Sequence, residues 1–381
     1  MKITSYEAIC NLGNDINSIY EKALVGDTSH FEKLDGYHKN SYVRAGVINC
    51  DLPEIYKENF NIRCNRVILK TLNLLNKKIE VLKNKYDKNK IGIVVATTNS
   101  GVEEFEKTKN PKFFELANPA YFIKDTLGLN NYYATVSTAC SSGIKAFSLA
   151  RDLLNNNISD VVIIACCDTL AKVPIYGFHS LEVLSPKRTA PFAQNREGMN
   201  MGEACAIFIA EKTSEDGIDV MGIGESTDIY HFTTPNPDAK EAVSAINSAL
   251  NDAKINPDDV DYINAHGTGT AVNDLMESKA IYSIFQDKIP VSSTKPLTGH
   301  CLGAAAGIET ALCCKLLDDF KGKFYPNING GSQDPSLPKI KLVKTNDVFK
   351  KCNICMCNSF GFGGTNAILI LGKKKKKKKI S

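Results

Sequence analysis

The stretch "TACSSGIKAFSLARDLL" (138–154) has an echo in the second half of the chain, "TGHCLGAAAGIETALCCKLL" (298–317). Each sets a reactive side chain among small residues and then runs into a helical pattern that is polar on one narrow face only. In the first, Ile144, Ala146, Phe147, Leu149, Ala150, Leu153 and Leu154 are apolar, while Lys145, Ser148 and Arg151 recur every third position. Only that thin stripe can meet water, so the helix reads as buried. Small residues beside it let the backbone pack closely. Two buried helices with one grammar point to an old duplication, because no short solenoid-type period is present.

The flanking sequence extends the same alternation. "KIGIVVAT" (90–97), "DVVIIACCD" (160–168), "EACAIFIAE" (203–211), "DYINAH" (261–266), "CNICMC" (352–357) and "NAILILG" (366–372) are short apolar runs of strand character. Helical patterns at 141–156, 240–253 and 302–319 separate them. Strands apolar on both faces, alternating with helices, predict α/β layers with buried sheets. The polar seam "EKTSEDG" (211–217) divides the chain, giving halves at 1–212 and 213–372 and a lysine-rich tail at 373–381 that is expected to be disordered.

Composition removes several classes of protein. At 381 residues, 43% hydrophobic and 23% charged, the chain has an ordinary globular balance. No apolar run is long enough to span a bilayer, and "MKITSYEAICNLG" lacks the form of a signal peptide. The formal charge of +4 becomes −3 once the seven lysines at 373–379 are set aside. A basic stripe with interleaved aromatics is missing, so no nucleic-acid partner is expected. Thirteen cysteines, odd in number and mostly within apolar segments, do not form a disulfide framework and predict a reducing cytoplasm.

Candidate site residues follow from the loops. "YYATVST" (132–138) reads as a strand entering the turn that carries Cys140, near the positive end of the following helix, where a thiol pKa should fall. The bland alternative is a buried small hydrophobe. "INAHGTGTAVND" (263–274) places His266 at a strand's carboxyl end, where open α/β sheets gather sites. "SSTKPLTGHCLGAAAG" (292–307) sets Lys295 five residues before His300. "NSFGFGGTNA" (358–367) is too glycine-rich for a strand interior and reads as a loop between strands. One cysteine with two histidines also raises a metal reading, but ligand sets usually show short local pairs, and these three residues are far apart. The group Cys352, Cys355 and Cys357 lacks a matching second pair, so no metal is expected there either. P-loop, G-x-G-x-x-G, H-E-x-x-H and G-x-S-x-G motifs are absent.

Four blocks in this order, "STACSSG", "NAHGTGT", "STKPLTGHCLGAAAG" and "NSFGFGGTNA", resemble the signature blocks of the β-ketoacyl-acyl-carrier-protein synthases, the elongating condensing enzymes with a Cys-His-His site. Softer matches at "GFHSLEVLSP" (177–186), "APFAQNREGMNMGEA" (190–204), "STDIYHFTTPNPD" (226–238) and "NDLMESKAI" (273–281) extend the likeness from about Ile91 to Leu371. The resemblance implies a thiolase-like fold, two similar α/β halves with buried mixed sheets packed in layers. It implies Cys140 as the acyl-accepting nucleophile and His266 and His300 as the pair acting on a malonyl thioester. Lys295 and Glu309 match the family's lysine–glutamate pair. Thr268 and Thr270 match threonines that hold the phosphopantetheine arm. Phe360 and Phe362 match an aromatic gate, with Gly361 and Gly363 around it and the amides of Cys140 and Phe362 as the oxyanion hole. Asp274 and Glu277 match acidic residues behind the site, read as structural or ion-binding. No cofactor is implied beyond the arm of the acyl-carrier protein. A homodimer is the family expectation, with a heterodimer of related condensing subunits as the other arrangement.

The chain departs from the family pattern in places. Cys166, Cys167 and Ala204 stand where glycines are usual, and Ala193 where an aspartate is usual. Added side chains there predict local repacking. The segment between "TTNSG" and Cys140 is short, which bears on the chain length accepted. Rival readings are a non-catalytic chain-length partner subunit, which would lose the cysteine, and a thiolase or starter synthase, against which "HGTGT" and "KPLTGH" argue. A membrane-surface or nucleic-acid binder would rest on the lysine run alone.

Overall fold

The structure is a computed structural model that describes residues 1–37 and 42–373. The tail after Lys373 lies outside the described residues. The first half of the chain contributes β1 (Lys2–Cys10), β2 (Glu32–Leu34), β3 (Val43–Gly46), β4 (Ile91–Ala96), β5 (Tyr133–Val136), β6 (Val161–Asp168), β7 (Met201–Gly202) and β8 (Ala204–Glu211). The second contributes β9 (Ile218–Thr227), β10 (Tyr262–Asn264), β11 (Pro290–Ser292), β12 (Lys341–Leu342), β13 (Ile354–Gly361) and β14 (Thr365–Gly372). Eleven strands form one mixed sheet in the order β12-β11-β10-β13-β14-β9-β1-β8-β6-β4-β5, and β2, β3 and β7 form a small second sheet.

The large sheet carries the duplication read from the sequence. Outward from its middle run β1-β8-β6-β4-β5 on one side and β9-β14-β13-β10-β11 on the other. Strands of equal rank come in the same chain order. Their pairings agree as well: β6 is parallel to β4 and antiparallel to β8, as β13 is parallel to β10 and antiparallel to β14. The halves meet where β1 and β9 pair at only Lys2↔Asp219 and Ile3↔Ile218.

Alternation along the buried strands builds layers. Val94, Ala96, Val162, Ile164 and Cys166 point inward, as do Cys355, Cys357, Leu369 and Leu371 from the other half. All pack on two central helices, Ser142–Asn155 and Ala305–Asp318. The opposite faces meet outer helices: Ile163, Ala165 and Cys167 pack with helix Arg63–Leu74, and Ile263, Met356 and Ile368 with helix Lys240–Ala253. The result is a helix–sheet–helix–sheet–helix stack. The small residues have the expected use. A Cβ on Gly143 would come 2.9 Å from Cβ of Ala306, and one on Gly307 would come 2.3 Å from Cβ of Cys166. Cys166 thus occupies room left by a glycine on the facing helix, while Cys167 turns outward toward Cys64.

One local expectation fails. The 358–367 stretch is no loop: β13 runs on through Asn358, Ser359 and Phe360 to Gly361, where it pairs with Thr365 of β14. Full antiparallel pairing overrides the glycine content, and the turn is confined to Phe362, Gly363 and Gly364. The last two have φ of +81° and +80°, which explains both glycines.

Candidate active site

Cys140, His266 and His300 come from three loops at the carboxyl ends of strands β5, β10 and β11, and their ligating atoms lie within 4.8 Å of one another. Such convergence would also suit a metal ion, so the sequence separation of the three residues is no argument against one. Cys140 Sγ is 3.0 Å from His300 Nε2, and the rings of His266 and His300 stand edge to face with centroids 5.5 Å apart. All three side chains are buried.

Cys140 follows Ala139, which has a left-handed φ of +53°. A side chain disfavours that conformation, so the turn is held by its neighbours. Ser142 Oγ bonds the Thr138 amide and the Ala139 carbonyl, and Ser359 Oγ donates to the Cys140 carbonyl at 2.7 Å. Gly361 packs on this turn, with room for a Cβ only 3.2 Å from the Thr138 carbonyl. The amides of Cys140 and Phe362 both reach the thiol.

The expected lowering of the thiol pKa does not occur. Burial pushes Cys140 up to about 11, against the downward pull of Lys295 and the Phe362 amide. Desolvation of the thiolate outweighs the helix end because little water reaches the sulfur. Burial also drives His266 and His300 well below the ordinary imidazole value, with Lys295 adding to the effect. At neutral pH the site therefore holds a thiol and two uncharged imidazoles.

Behind the histidines lies a buried charged layer. Lys295 Nζ is 2.6 Å from Glu309 Oε1, donates to the His266 carbonyl, and sits 3.5 Å from His266 Nδ1. Burial raises the Glu309 carboxyl to about 7 while Lys295 pulls it down. Glu277 accepts from the amides of His266 (2.8 Å) and Gly267 (2.7 Å) and from Asn358, fixing the turn after His266. Asp274 accepts from the amides of Phe192 and Gly269. Both acids thus hold backbone in place.

In front, Thr268 and Thr270 lie 2.9 Å apart through their hydroxyls and line a cavity of about 10 Å³ with Cys140, Phe178, Met199, Phe360 and Phe362. That volume is about one water. The site is closed by its aromatic wall: Phe360 is 5% exposed and Phe362 packs at a tilt against Phe178, with ring centroids 5.5 Å apart. Gly363 lies at the turn with nothing near its Cβ position.

Sequence reasoning passed over three residues here. Asp168 is fully buried at the end of β6 and accepts from the hydroxyls of Thr97 and Thr98, the amide of Asn99 and the amide of Gly303. It ties the loop after β4 to the segment that follows His300. An acid closing an otherwise apolar strand was its only signal. Ser359 was hidden in the supposed loop, and Phe178 in a softly matching block.

Comparison with known proteins gives a consistent result. Residues 77–216 match the beta-ketoacyl synthase N-terminal domain and residues 219–330 the beta-ketoacyl synthase C-terminal domain. The chain is 28% identical over 408 residues to 3-oxoacyl-[acyl-carrier-protein] synthase 2 of Staphylococcus aureus, with 97% of each covered. It is 35% identical over 254 residues to nodulation protein E of Rhizobium leguminosarum bv. trifolii, covering 64% of this chain and 62% of that protein. A ketosynthase solved in complex with its chain length factor, from Xenorhabdus doucetiae, superposes with a TM-score of 0.92 at 32% identity, over 98% of both chains. The chain belongs to the β-ketoacyl synthase family of carbon–carbon bond-forming acyltransferases, and its fold is thiolase-like.

Proposed function

We propose that this β-ketoacyl synthase is a catalytic 3-oxoacyl-[acyl-carrier-protein] synthase, which joins an acyl chain held on Cys140 to a malonyl unit with loss of CO₂. The observation that carries the reading is the intact contact between Cys140 Sγ and His300 Nε2, 3.0 Å long and buried. A chain-length partner subunit would have no use for it.

The chemistry follows from these groups. The Cys140 sulfur attacks the acyl thioester with the His300 Nε2–H beside it, the bond to the carrier sulfur breaks, and the Cys140 thiol proton passes to the departing carrier thiol. An acyl-enzyme thereby splits one hard step into two easier ones. Amides of Cys140 and Phe362, beside the sulfur, are the donors proposed for the oxyanion of the tetrahedral intermediate. The malonyl thioester then takes the place of the first carrier arm, with Thr268 and Thr270 beside it. As CO₂ departs, uncharged N–H groups of His266 and His300 donate to the growing enolate oxygen. The enolate carbon attacks the acyl carbon, the carbon–sulfur bond breaks, and Cys140 leaves as a thiolate that takes a proton from water. No cofactor takes part beyond the phosphopantetheine arm of the carrier protein.

The partners proposed are an acyl-carrier protein and a second condensing subunit, with a homodimer as the first choice. Strand β5 supports the second partner: it ends the eleven-stranded sheet, its outer edge is unpaired among the described residues, and Tyr132 beside it is 45% exposed. Such an edge invites strand pairing. Fatty acids or related polyketide and polyene lipids are the product class.

Intact-mass measurement tests the reading. The protein is mixed with acyl-carrier proteins bearing chains of several lengths, then with malonyl-carrier protein. An acyl adduct that is missing in Cys140→Ala and discharges as a 3-ketoacyl product supports the synthase. Absence of an adduct with every chain, together with tight binding to a related condensing enzyme, supports the chain-length subunit instead.

A further inference from the structure

Away from the active site, four cysteines gather where the start of β13 meets the central helix Ala305–Asp318. Cys352 and Cys355 are three residues apart in the C-x-x-C stretch "CNIC", and their sulfurs lie 3.4 Å from each other. Cys313, on the helix, is a neighbour of both Cys355 and Cys357. The four thiols thus form a chain in the order Cys352, Cys355, Cys313, Cys357. They do not converge as a four-coordinate thiolate site requires. Among the described residues the one convergent group of cysteines, histidines and acids at metal-ligand spacing is Cys140, His266 and His300.

Access to the chain is one-sided. Cys313, Cys355 and Cys357 are at most 1% exposed, whereas Cys352 is 6% exposed and lines a surface cavity of about 880 Å³ with Lys2, Lys350 and Phe320. Cys352 is thus the one member of the group that stands at the wall of a cavity. The backbone between the pair is anchored, because Asp261 accepts from the amides of Asn353 (2.7 Å) and Ile354 (3.2 Å). The two sulfurs are therefore held together, and a closure of roughly 1.4 Å brings them to disulfide bonding distance of about 2.05 Å.

We propose that Cys352 and Cys355 form a peroxide-reactive dithiol, an oxidation site separate from the catalytic cysteine. Hydrogen peroxide is the oxidant. The Cys352 sulfur attacks one peroxide oxygen, the O–O bond breaks, and the second oxygen leaves as water with the thiol proton, giving a sulfenic acid on Cys352. The Cys355 sulfur then attacks the Cys352 sulfur, the S–O bond breaks, and that oxygen also leaves as water. In total two thiols lose two electrons and two protons, and one peroxide becomes two waters. The bridge is open to later reduction by a small thiol from the cavity side.

The test uses the full chain with Cys140→Ala, so that the catalytic thiol does not compete. The protein is exposed to hydrogen peroxide, its remaining thiols are alkylated after denaturation, and intact mass and peptide fragments are read. The proposal expects a product two hydrogens lighter, with Cys352 and Cys355 alone unalkylated, restored by dithiothreitol. Cys313→Ser should retain the bridge, and Cys352→Ser should lose it. Should Cys352→Ser fail to fold, the fragment map of the parent protein still decides. A bridge that includes Cys313 or Cys357 would overturn the proposal, as would accumulation of oxygen adducts on Cys352 without a bridge, or no oxidation at all.

Discussion

Lys295 Nζ lies 2.6 Å from Glu309 Oε1 with both side chains shut away from solvent, and the same ammonium donates to the carbonyl of His266. Removing one member of a buried pair leaves an uncompensated charge, at a cost of about 3–5 kcal/mol. Replacing both with apolar groups can recover much of that stability. Lys295→Met and Glu309→Leu should each lower the thermal midpoint markedly, while the double variant should sit closer to the parent. Condensation should stay impaired in all three, because His266 loses Lys295 in two of them and in the third Lys295 loses the carboxylate that holds it in place. Thermal melts and a decarboxylation assay, run on the same preparations, separate the two effects. A double variant that regained full turnover would show that the pair serves stability alone.

The chemical state of Cys140 can be read from its alkylation rate. A thiol pushed up to about 11 by burial carries little thiolate at neutral pH. The rate with iodoacetamide should therefore climb about tenfold per pH unit from 7 toward 10, following the thiolate fraction. A rate already level between pH 6 and 8 would instead mean a preformed thiolate–imidazolium pair with His300.

Acid stability tests the histidines. Both fold with pKa values well below the unfolded value of about 6.5, so below that pH the unfolded chain takes up their protons first. Their contribution is fully present above the unfolded value and drains away as pH falls. Asp274 and Glu309, raised to about 7 by burial, work with the opposite sign, since the folded chain binds those protons more tightly. A single melting curve mixes the two. The informative quantity is the difference in urea midpoint between the parent and a His266→Gln, His300→Gln double variant. It should shift in the variant's favour as pH drops from 7.5 to 5.5. A difference independent of pH would mean that the imidazoles take up protons within the fold.

Much of this arrangement was legible because the signals were local. The paired stretches 138–154 and 298–317 foretold two central helices and the symmetric sheet around them. The candidate residues stood out locally, His266 and His300 beside glycines in loops and Cys140 among small residues. What stayed hidden depends on distant partners. Asp168 reaches Thr97 and Gly303, which are far from it in sequence, so no periodicity marks it. The Cys140 pKa depends on how fully other loops cover the sulfur, and a helix end alone predicts the wrong direction. The strand through Ser359 forms because β14 supplies a partner for every residue, which composition cannot show.

The departures from the family pattern make a last prediction. Cys166 faces Gly307, and a Cβ added there would lie 2.3 Å from Cβ and 3.0 Å from Sγ of the cysteine. Neither side can yield easily, since Cys166 is a fully buried strand residue and Gly307 lies within a buried helix. Gly307→Ala should therefore destabilise by about 1–3 kcal/mol through overpacking. Cys166→Gly alone should also destabilise, by opening a small void and loosening the strand. Together they exchange the side chain from one wall to the other, so the double variant should be more stable than the sum of the single effects predicts. Denaturant midpoints of the four proteins give the coupling directly. Additive losses would mean that the helix shifts to admit the extra methyl and that Cys166 sets no limit on its neighbour.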